Sequence, residues 1–332
     1  MAHRIAINGF GRIGRGVLRA ILERDLDIDV VAVNDLTDGE TLAHLLEWDS
    51  VYGRLRRNIS YADGELRVDE RRIRVLAEPD PSQLPWAELG VDAELESTGR
   101  FTKAQDARKH IDAGATRVLV SAPATDADLT VVIGVNDDLY DPAQHFIVSN
   151  ASCTTNAFAP LAKVLDDLAG IRQGFMTTVH AYTQDQNLID GPHKDKRRAR
   201  AAALNIVPPS TGAAKAIGLV LPKLDGKLSG TSIRVPVPVG SIVELNAEVN
   251  DEVTREQVIE AYRAAAGGHL SGVLEFSDEP LVSSDIVGNP HSSIFDSELT
   301  QIQGKHIKVV TWYDNEWGFS NRAAEMLLKM SA

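Results

Sequence analysis

The sequence predicts an α/β protein in which a doubly wound parallel sheet forms the first domain and an α+β domain with a mostly antiparallel sheet follows. Four short runs rich in Val and Ile are almost continuously apolar, which is typical of parallel strands buried on both faces. These runs are Ile5–Asn8, Val30–Asn34, Arg117–Ser121 and Val131–Val135. A helical pattern over Arg12–Arg24 separates the first two. Strand, helix and strand in that order predict a βαβ unit.

The second half of the chain has a different pattern. Within Ser241–Val249, apolar and polar residues alternate, which predicts one buried and one solvated face, as in antiparallel sheets. Helical patterns over Ala157–Leu168 and Arg255–Ala266 accompany this strand. We therefore expect a first domain of residues 1–150, a second of residues 151–315, and a C-terminal helix of about residues 316–332 that packs back onto the first.

The composition limits the possible classes of function. The chain of 332 residues has 34 Lys and Arg against 47 Asp and Glu, and its net charge of −13 disfavours nucleic-acid or acidic-membrane partners. No apolar run approaches the ~18 residues that span a bilayer. A single cysteine excludes an intramolecular disulfide and fits the reducing cytoplasm. We expect a cytoplasmic protein without a metal.

A glycine-rich loop predicts a dinucleotide site of the Rossmann type. Gly9, Gly11 and Gly14 follow the first strand and open the first helix, where glycines permit close approach of a pyrophosphate to the helix N-terminus. The pattern alone also fits an ordinary turn, but Asp35 follows Gly14 by 21 residues and closes the next strand. A carboxylate there can bind ribose hydroxyls. It would repel the 2′-phosphate of NADP, since no Arg or Lys follows closely, so NAD is the expected cofactor.

The lone cysteine, Cys153, lies where an apolar strand gives way to a helix. Thr154, Thr155 and Asn156 follow it and are candidate N-caps. A thiol at a helix N-terminus is expected to be rich in thiolate, since the dipole favours negative charge. The alternative is a buried cysteine that only fills the core.

A nucleophilic cysteine requires a base, and His180 is the candidate because it ends the strand-like run Phe175–Val179. A structural histidine is the alternative. The cationic segment Lys194–Arg200 follows. In a protein of negative charge, it is either a solvated face or part of a site for an anionic ligand.

Six segments extend this pattern along the chain: Ala151–Asn156, His180–Thr183, Asp190–Asp195, Ser210–Lys215, Arg234–Pro236 and Trp312–Gly318. In residue type and order they resemble the motifs of phosphorylating glyceraldehyde-3-phosphate dehydrogenases, and the resemblance spans residues 3–330. It implies NAD-dependent oxidation of glyceraldehyde 3-phosphate, with inorganic phosphate as second substrate, through a cysteine thiohemiacetal and a thioester. It also implies a homotetramer.

The resemblance assigns roles to individual residues. Cys153 would be the nucleophile and His180 the base that activates it. Contacts to NAD would come from Gly9, Gly11, Arg12, Ile13, Gly14, Asp35, Gly99, Ser121 and Asn315. Two anion pockets would be formed, one by Thr183, Arg197 and Arg234 and the other by Ser152, Thr154, Thr211 and Gly212.

Two other functions are consistent with these motifs. Erythrose-4-phosphate dehydrogenase shares the Cys and His, but the Thr183/Asp185 pair and the segment Gly212–Lys215 favour glyceraldehyde-3-phosphate dehydrogenase. A non-catalytic binding protein on the same fold is disfavoured by the joint presence of nucleophile, base, arginine and asparagine.

Three positions depart from the pattern of the family that the chain resembles. Pro79 replaces a residue that is often Arg and can lie near the adenine. Glu94 interrupts a strand that is usually apolar, and Pro209 precedes Ser210 where a polar or small residue is common. The departures affect the expected adenine contacts and local strand packing, not the chemistry.

Overall fold

A computed structural model describes residues 2–331, which divide into two compact units. The first unit contains residues 2–131, 139–151 and 320–331, and the second contains Val132–Asp138 and Ser152–Phe319. Among the described residues, no helix is both long and apolar enough to cross a membrane.

The first unit is built on a nine-stranded sheet with four flanking helices along residues 2–151. Its strands are β1 (His3–Asn8), β2 (Ile28–Asn34), β3 (Ile59–Ala62), β4 (Glu65–Val68), β5 (Arg71–Leu76), β6 (Ala93–Glu96), β7 (Arg117–Val120), β8 (Leu129–Thr130) and β9 (Ile147–Ser149). Its helices are α1 (Arg12–Glu23), α2 (Gly39–Glu47), α3 (Trp86–Leu89) and α4 (Ala104–Asp112).

The strand order confirms the doubly wound sheet. It runs β3-β4-β5-β2-β1-β6-β7-β9-β8, and only the pairs β3–β4 and β4–β5 are antiparallel. The chain moves from β1 outward through β2 to β5, and then returns to the other side of β1 with β6. This reversal between β1 and β6 creates a crevice at the carboxyl ends of the two strands, the usual ligand position in such sheets.

One strand predicted from the sequence does not form. Val131–Val135 is not a strand; β8 ends at Thr130, and residues 133–136 form a turn. Gly134 has φ +80°, which breaks the extended backbone. The side chain of Asn136 accepts a hydrogen bond from the Val132 N–H at 2.8 Å, and this contact stabilises the turn. Apolar composition alone does not reveal that geometry.

The second unit is built on a seven-stranded sheet. Its strands are β10 (Ile171–Ala181), β11 (Leu228–Val235), β12 (Ser241–Val249), β13 (Leu274–Ser277), β14 (Ser293–Asp296), β15 (Gln301–Gln303) and β16 (His306–Tyr313). Its helices are α5 (Cys153–Ala169), α6 (Ala213–Val220) and α7 (Arg255–Gly267), and α8 (Trp317–Ser331) ends the chain, mostly within the first unit.

The sheet of the second unit is mostly antiparallel, as expected. The order is β11-β10-β12-β16-β14-β13, with β15 also on β16, and only β10–β11 and β13–β14 are parallel. The alternation of β12 is confirmed, since Val243, Leu245, Ala247 and Val249 are buried and the polar residues between them are not. Helix α5 packs over β12, β14 and β16. Tyr262 of α7 joins this core, stacking on Phe295 at 3.9 Å between ring centroids and donating to the Leu161 carbonyl at 2.6 Å.

Candidate active site

Four predicted cofactor residues of the first unit lie at one edge of its sheet. Gly9 follows β1, Asp35 follows β2, Gly99 lies just beyond β6, and Ser121 follows β7. Because parallel strands end at the same edge, these residues surround the crevice where the strand order reverses. Ser121 is held there by its hydroxyl, which donates to the Glu96 carbonyl at 3.0 Å.

The glycine loop packs so closely on neighbouring backbone that two of its glycines have no room for a side chain. Gly9 has φ +90°, and a Cβ on it would lie 2.6 Å from the Thr98 nitrogen. A Cβ on Gly14 would lie 2.3 Å from the Gly9 carbonyl oxygen. Gly11 is the N-cap of α1 and offers no side chain to the first turn, which contains Ile13. The exposed backbone of a helix N-terminus suits a pyrophosphate, so the loop fits NAD.

Asp35 is oriented by the loop itself. Its carboxylate accepts hydrogen bonds from the N–H of Phe10 at 2.8 Å and of Thr37 at 3.0 Å. A carboxylate has about four acceptor positions, so two remain for ribose hydroxyls. Arg12 forms an ion pair with Asp49, and its guanidinium lies 5.6 Å from the Tyr52 ring centroid.

Cys153 is the first residue of α5, so it lies at a helix N-terminus as the sequence predicts, but the N-cap is two residues before the first candidate, Thr154. Ser152 caps the helix, and its Oγ accepts from the Thr155 N–H at 3.1 Å. Thr154, Thr155 and Asn156 are already helical. The thiol therefore stands at the N-terminal turn of a 17-residue helix, partly buried.

The structure brings Cys153 and His180 together. The thiol Sγ lies 3.4 Å from His180 Nε2, and His180 occupies the end of β10. His180 Nδ1 lies 2.6 Å from the Ala181 carbonyl oxygen, which can only accept. Arg234 Nη1, which can only donate, also lies 2.9 Å from Nδ1. When Nδ1 donates its proton to the carbonyl, Nε2 presents a lone pair to the thiol, as a base requires.

Arg234 reaches the same place through strand register. Strand β10 pairs in parallel with β11 so that His180 lies opposite Arg234. Arg234 Nη1 donates to the Ala181 carbonyl at 2.9 Å and to Thr183 Oγ1 at 3.3 Å. Among the described residues, its buried Nε–H has no hydrogen-bond partner. A cation with an unused buried donor suits an anionic ligand.

Burial and this cation determine the protonation of the pair. Burial raises the pKa of the Cys153 thiol, while the charge of Arg234 lowers it. Burial, with Arg234 second, lowers the pKa of His180 to about 3. Burial therefore opposes the thiolate-rich cysteine that the helix N-terminus predicts, while the charge of Arg234 favours it.

Sequence reasoning missed Arg198. Its charge contributes to the lowered pKa of His180, and its guanidinium donates to the Ser210 carbonyl at 3.1 Å, beside the Thr211 loop. Arg198 is also paired with Asp185 and, at 3.5 Å, with Asp195. The neighbouring Arg197 is exposed and donates instead to the Pro208 carbonyl. Composition identified the cationic segment, but it cannot distinguish which of two adjacent arginines points inward.

The other predicted residues of the second unit lie on hydrogen-bonded loops and helix starts. Thr211 Oγ1 accepts from the Ala213 N–H at 3.2 Å, and Gly212 is the N-cap of α6. Asn315 Oδ1 accepts from the Ser241 hydroxyl at 3.0 Å and from the Gly240 N–H at 3.3 Å. Because both bonds go to Oδ1, the side-chain NH₂ group of Asn315 is left to donate to a ligand.

Glu94, one of the three residues that depart from the family pattern, belongs to a buried cluster in the first unit. Its carboxyl oxygen lies 3.8 Å from His110 Nε2, and Glu96 lies 3.3 Å from the same nitrogen. Burial and the neighbouring Glu96 raise the pKa of Glu94 well above its ordinary value. Trp86 Nε1, which can only donate, lies 3.0 Å from His110 Nδ1. Nε2 therefore carries the ring proton and is not available as a metal ligand.

Comparisons with known proteins agree with this geometry. Residues 3–104 match the glyceraldehyde 3-phosphate dehydrogenase NAD binding domain, and residues 152–315 match the glyceraldehyde 3-phosphate dehydrogenase C-terminal domain. The glyceraldehyde-3-phosphate dehydrogenase of Kitasatospora aureofaciens is 72% identical over 329 residues, 99% of each chain. The glyceraldehyde-3-phosphate dehydrogenase of Mycobacterium avium is 59% identical, and glyceraldehyde-3-phosphate dehydrogenase 2 of Streptomyces arenae is 58% identical. Both align over 98% of each chain. The chain therefore belongs to the glyceraldehyde-3-phosphate dehydrogenase family.

Proposed function

We propose that the protein catalyses the NAD-dependent oxidative phosphorylation of D-glyceraldehyde 3-phosphate to 1,3-bisphosphoglycerate. The principal observation is the Cys153–His180 contact of 3.4 Å, with Arg234 beside the imidazole. A nucleophile, a base and a cation in one place are the groups needed for attack on a phosphorylated aldehyde.

Cys153 forms and later releases the covalent intermediate. The thiol sulfur attacks the aldehyde carbon while His180 Nε2 receives the thiol proton and passes it to the carbonyl oxygen, which gives a thiohemiacetal. NAD, when bound, supplies the hydride acceptor. His180 takes the hydroxyl proton as the hydride leaves the same carbon, which gives a thioester. Phosphate oxygen then attacks the acyl carbon, and the carbon–sulfur bond breaks to yield the acyl phosphate and the cysteine.

Substrate binding also adjusts the base. The charge of Arg234 contributes to the low pKa of His180. A phosphate bound to Arg234 would offset that charge and raise the basicity of the imidazole when the aldehyde is present. The base would thus be strengthened by the ligand on which it acts.

We propose two anion pockets around this pair. Arg234 and Thr183 form one, as their hydrogen bond and the unused Arg234 Nε–H suggest. The motifs also place Arg197 in this pocket, but it is exposed and donates to the Pro208 carbonyl. The other pocket contains Ser152, Thr154, Thr211 and Gly212, and Arg198 supplies its cation, since its guanidinium donates to the Ser210 carbonyl beside Thr211. Thr154 would contribute its backbone N–H, because its hydroxyl hydrogen-bonds to Tyr313.

For NAD we propose the contacts that the sequence motifs imply. The glycine loop would hold the pyrophosphate and Asp35 the adenosine ribose. Ser121, Gly99 and Asn315 would complete the set, with Asn315 donating to the nicotinamide carboxamide. We propose residues 1–150 as the NAD-binding domain, joined by the helix of residues 316–332, and residues 151–315 as the catalytic domain.

We further propose a cytoplasmic homotetramer. The second unit exposes several large apolar side chains, among them Leu188 (80% exposed) and Leu204 (81%), together with Ile189 and Ile206. Such a cluster is typical of protein–protein interfaces. A free thiol at the reacting centre favours a reducing compartment. Light scattering should give about four times the 36.0 kDa chain mass; a monomer would contradict the assembly.

One assay tests the proposed activity. NADH formation should be rapid with glyceraldehyde 3-phosphate plus phosphate, much slower without phosphate, and slower with erythrose 4-phosphate. Cys153→Ser should retain NAD binding and less than about a hundredth of the rate, because a serine hydroxyl is a weaker nucleophile and its ester a poorer acyl donor. Preference for erythrose 4-phosphate would favour the alternative dehydrogenase, and absence of turnover with both would favour a binding protein.

A further inference from the structure

A buried chain of hydroxyl groups connects the helix of the nucleophile to the strand of the base. Tyr313, at the end of β16, places its Oη 2.9 Å from Thr154 Oγ1 and 2.9 Å from Thr178 Oγ1. Thr154 follows Cys153 on α5, and Thr178 precedes His180 by two residues on β10. All three hydroxyl-bearing residues are at least nine-tenths buried.

The direction of this chain is determined by its last member. Thr178 Oγ1 donates to the Ile242 carbonyl at 3.1 Å, and a carbonyl can only accept. The single proton of Thr178 is thereby used, so Tyr313 must donate to Thr178 and Thr154 must donate to Tyr313. Every hydroxyl proton in the chain has one acceptor, which gives the connection a defined geometry.

Tyr313 also contacts the base itself. Its ring meets the His180 imidazole edge to face, with 5.8 Å between ring centroids and 76° between planes. The phenol therefore touches the elements of both reacting groups: the first turn of α5 through Thr154, and β10 through Thr178 and the imidazole ring.

We propose that Tyr313 is a positioning residue that holds Cys153 at reaction distance from His180. This inference rests on the proposed roles of that cysteine and histidine. The hydrogen bonds of the phenol go to Thr154 and Thr178 and not to the sulfur, so its effect is exerted through the distance and orientation of the two side chains. A misplacement of about 1 Å at a reacting pair costs on the order of 100-fold in rate.

The test uses two hydroxyl deletions, alone and combined, and one substitution that keeps the hydroxyl. Tyr313→Phe keeps the ring and removes the connection, so the rate of Cys153 alkylation by iodoacetamide and kcat should each fall roughly 10- to 100-fold. KM for the aldehyde and for NAD should change little. Thr178→Val should show the same pattern, Thr178→Ser should restore the rates, and the double variant should lose no more than Tyr313→Phe alone.

Tyr262→Phe is the matched control. It also removes a buried phenol that bonds to α5, at the Leu161 carbonyl, but it lies away from the cysteine. It should lower Tm and leave the alkylation rate and its pH profile unchanged. Positioning by Tyr313 is overturned if Tyr313→Phe and Thr178→Val, at equal folded fraction, alkylate at the wild-type rate. If Cys153 proves dispensable for turnover, the proposed function fails instead, whatever the alkylation rates.

Discussion

His180 and Arg234 lie opposite each other across parallel strands, and Arg234 Nη1 is 2.9 Å from His180 Nδ1. Both nitrogens point to the same acceptor, the Ala181 carbonyl oxygen. Strand register therefore holds the cation against the imidazole. Burial is the larger cause of the low pKa of His180, and the charge of Arg234 lowers that pKa further.

The first prediction concerns this base. His180→Asn keeps a polar side chain near the thiol but removes the group that receives its proton. Because a positioned general base contributes about 10²- to 10⁴-fold, NADH formation in a single turnover should slow by that factor. Stopped-flow absorbance measures the step directly. Alkylation of Cys153 should also slow, and a variant with both rates unchanged would make His180 purely structural.

The second prediction separates the two adjacent arginines. Arg198→Ala should raise KM for inorganic phosphate roughly 10- to 100-fold, since a hydrogen bond to a charged group contributes about 1.5–3 kcal/mol. Arg197→Ala is the matched control and should change KM less than about twofold, because exposed charges contribute little. Steady-state titration of phosphate measures both. A larger effect at Arg197 would restore the assignment made from the sequence.

The third prediction concerns cofactor choice. Asp35 should make NAD strongly preferred, because its carboxylate would face the 2′-phosphate of NADP without a compensating cation. Asp35→Gly should reduce the preference for NAD over NADP, because it weakens NAD binding and removes the carboxylate that repels the 2′-phosphate of NADP. The check is kcat/KM for each cofactor before and after the change. Comparable values in the unmodified protein would contradict the role of Asp35.

These predictions also indicate how far sequence reasoning reaches. Cys153 could be placed at a helix start because a strand pattern, a polar cluster and a helical pattern follow one another within a few residues. Its pairing with His180 could come only from the family resemblance, since spacing along the chain does not define a distance between β10 and α5. The opposing effect of burial on the pKa of the Cys153 thiol could not be predicted, because a helix N-terminus is visible in the sequence and the degree of burial is not.

Glu94 is a second residue whose environment could not be predicted from the sequence, and the fourth prediction concerns its ionisation. The sequence identifies it as unusual, but only the structure shows a buried carboxyl beside Glu96. The pKa of Glu94 in the folded protein is raised above the ordinary value of 4.5. At a pH between 4.5 and this raised pKa, the folded protein therefore keeps a proton that the unfolded chain releases. Stability should therefore decrease as pH rises above about 4.5, by up to about 1.4 kcal/mol per pH unit.

The comparison of variants isolates that contribution. Glu94→Gln cannot ionise, so its free energy of unfolding should decrease less steeply than that of the wild type between pH 5 and pH 8, measured by urea denaturation. The exposed Glu70→Gln serves as the control and should follow the wild-type slope. Parallel curves for wild type and Glu94→Gln would show that the buried carboxyl is not held neutral.

The central claim is that Cys153 forms an acyl-enzyme, and intact-mass spectrometry tests it most directly. The protein should be mixed with glyceraldehyde 3-phosphate and NAD without phosphate, quenched in acid and weighed. We expect one 3-phosphoglyceroyl group per chain, located on Cys153 by peptide mapping, absent from Cys153→Ser and lost within one turnover when phosphate is added. NADH formation of one equivalent or more per chain with no added mass on Cys153 would contradict the covalent route.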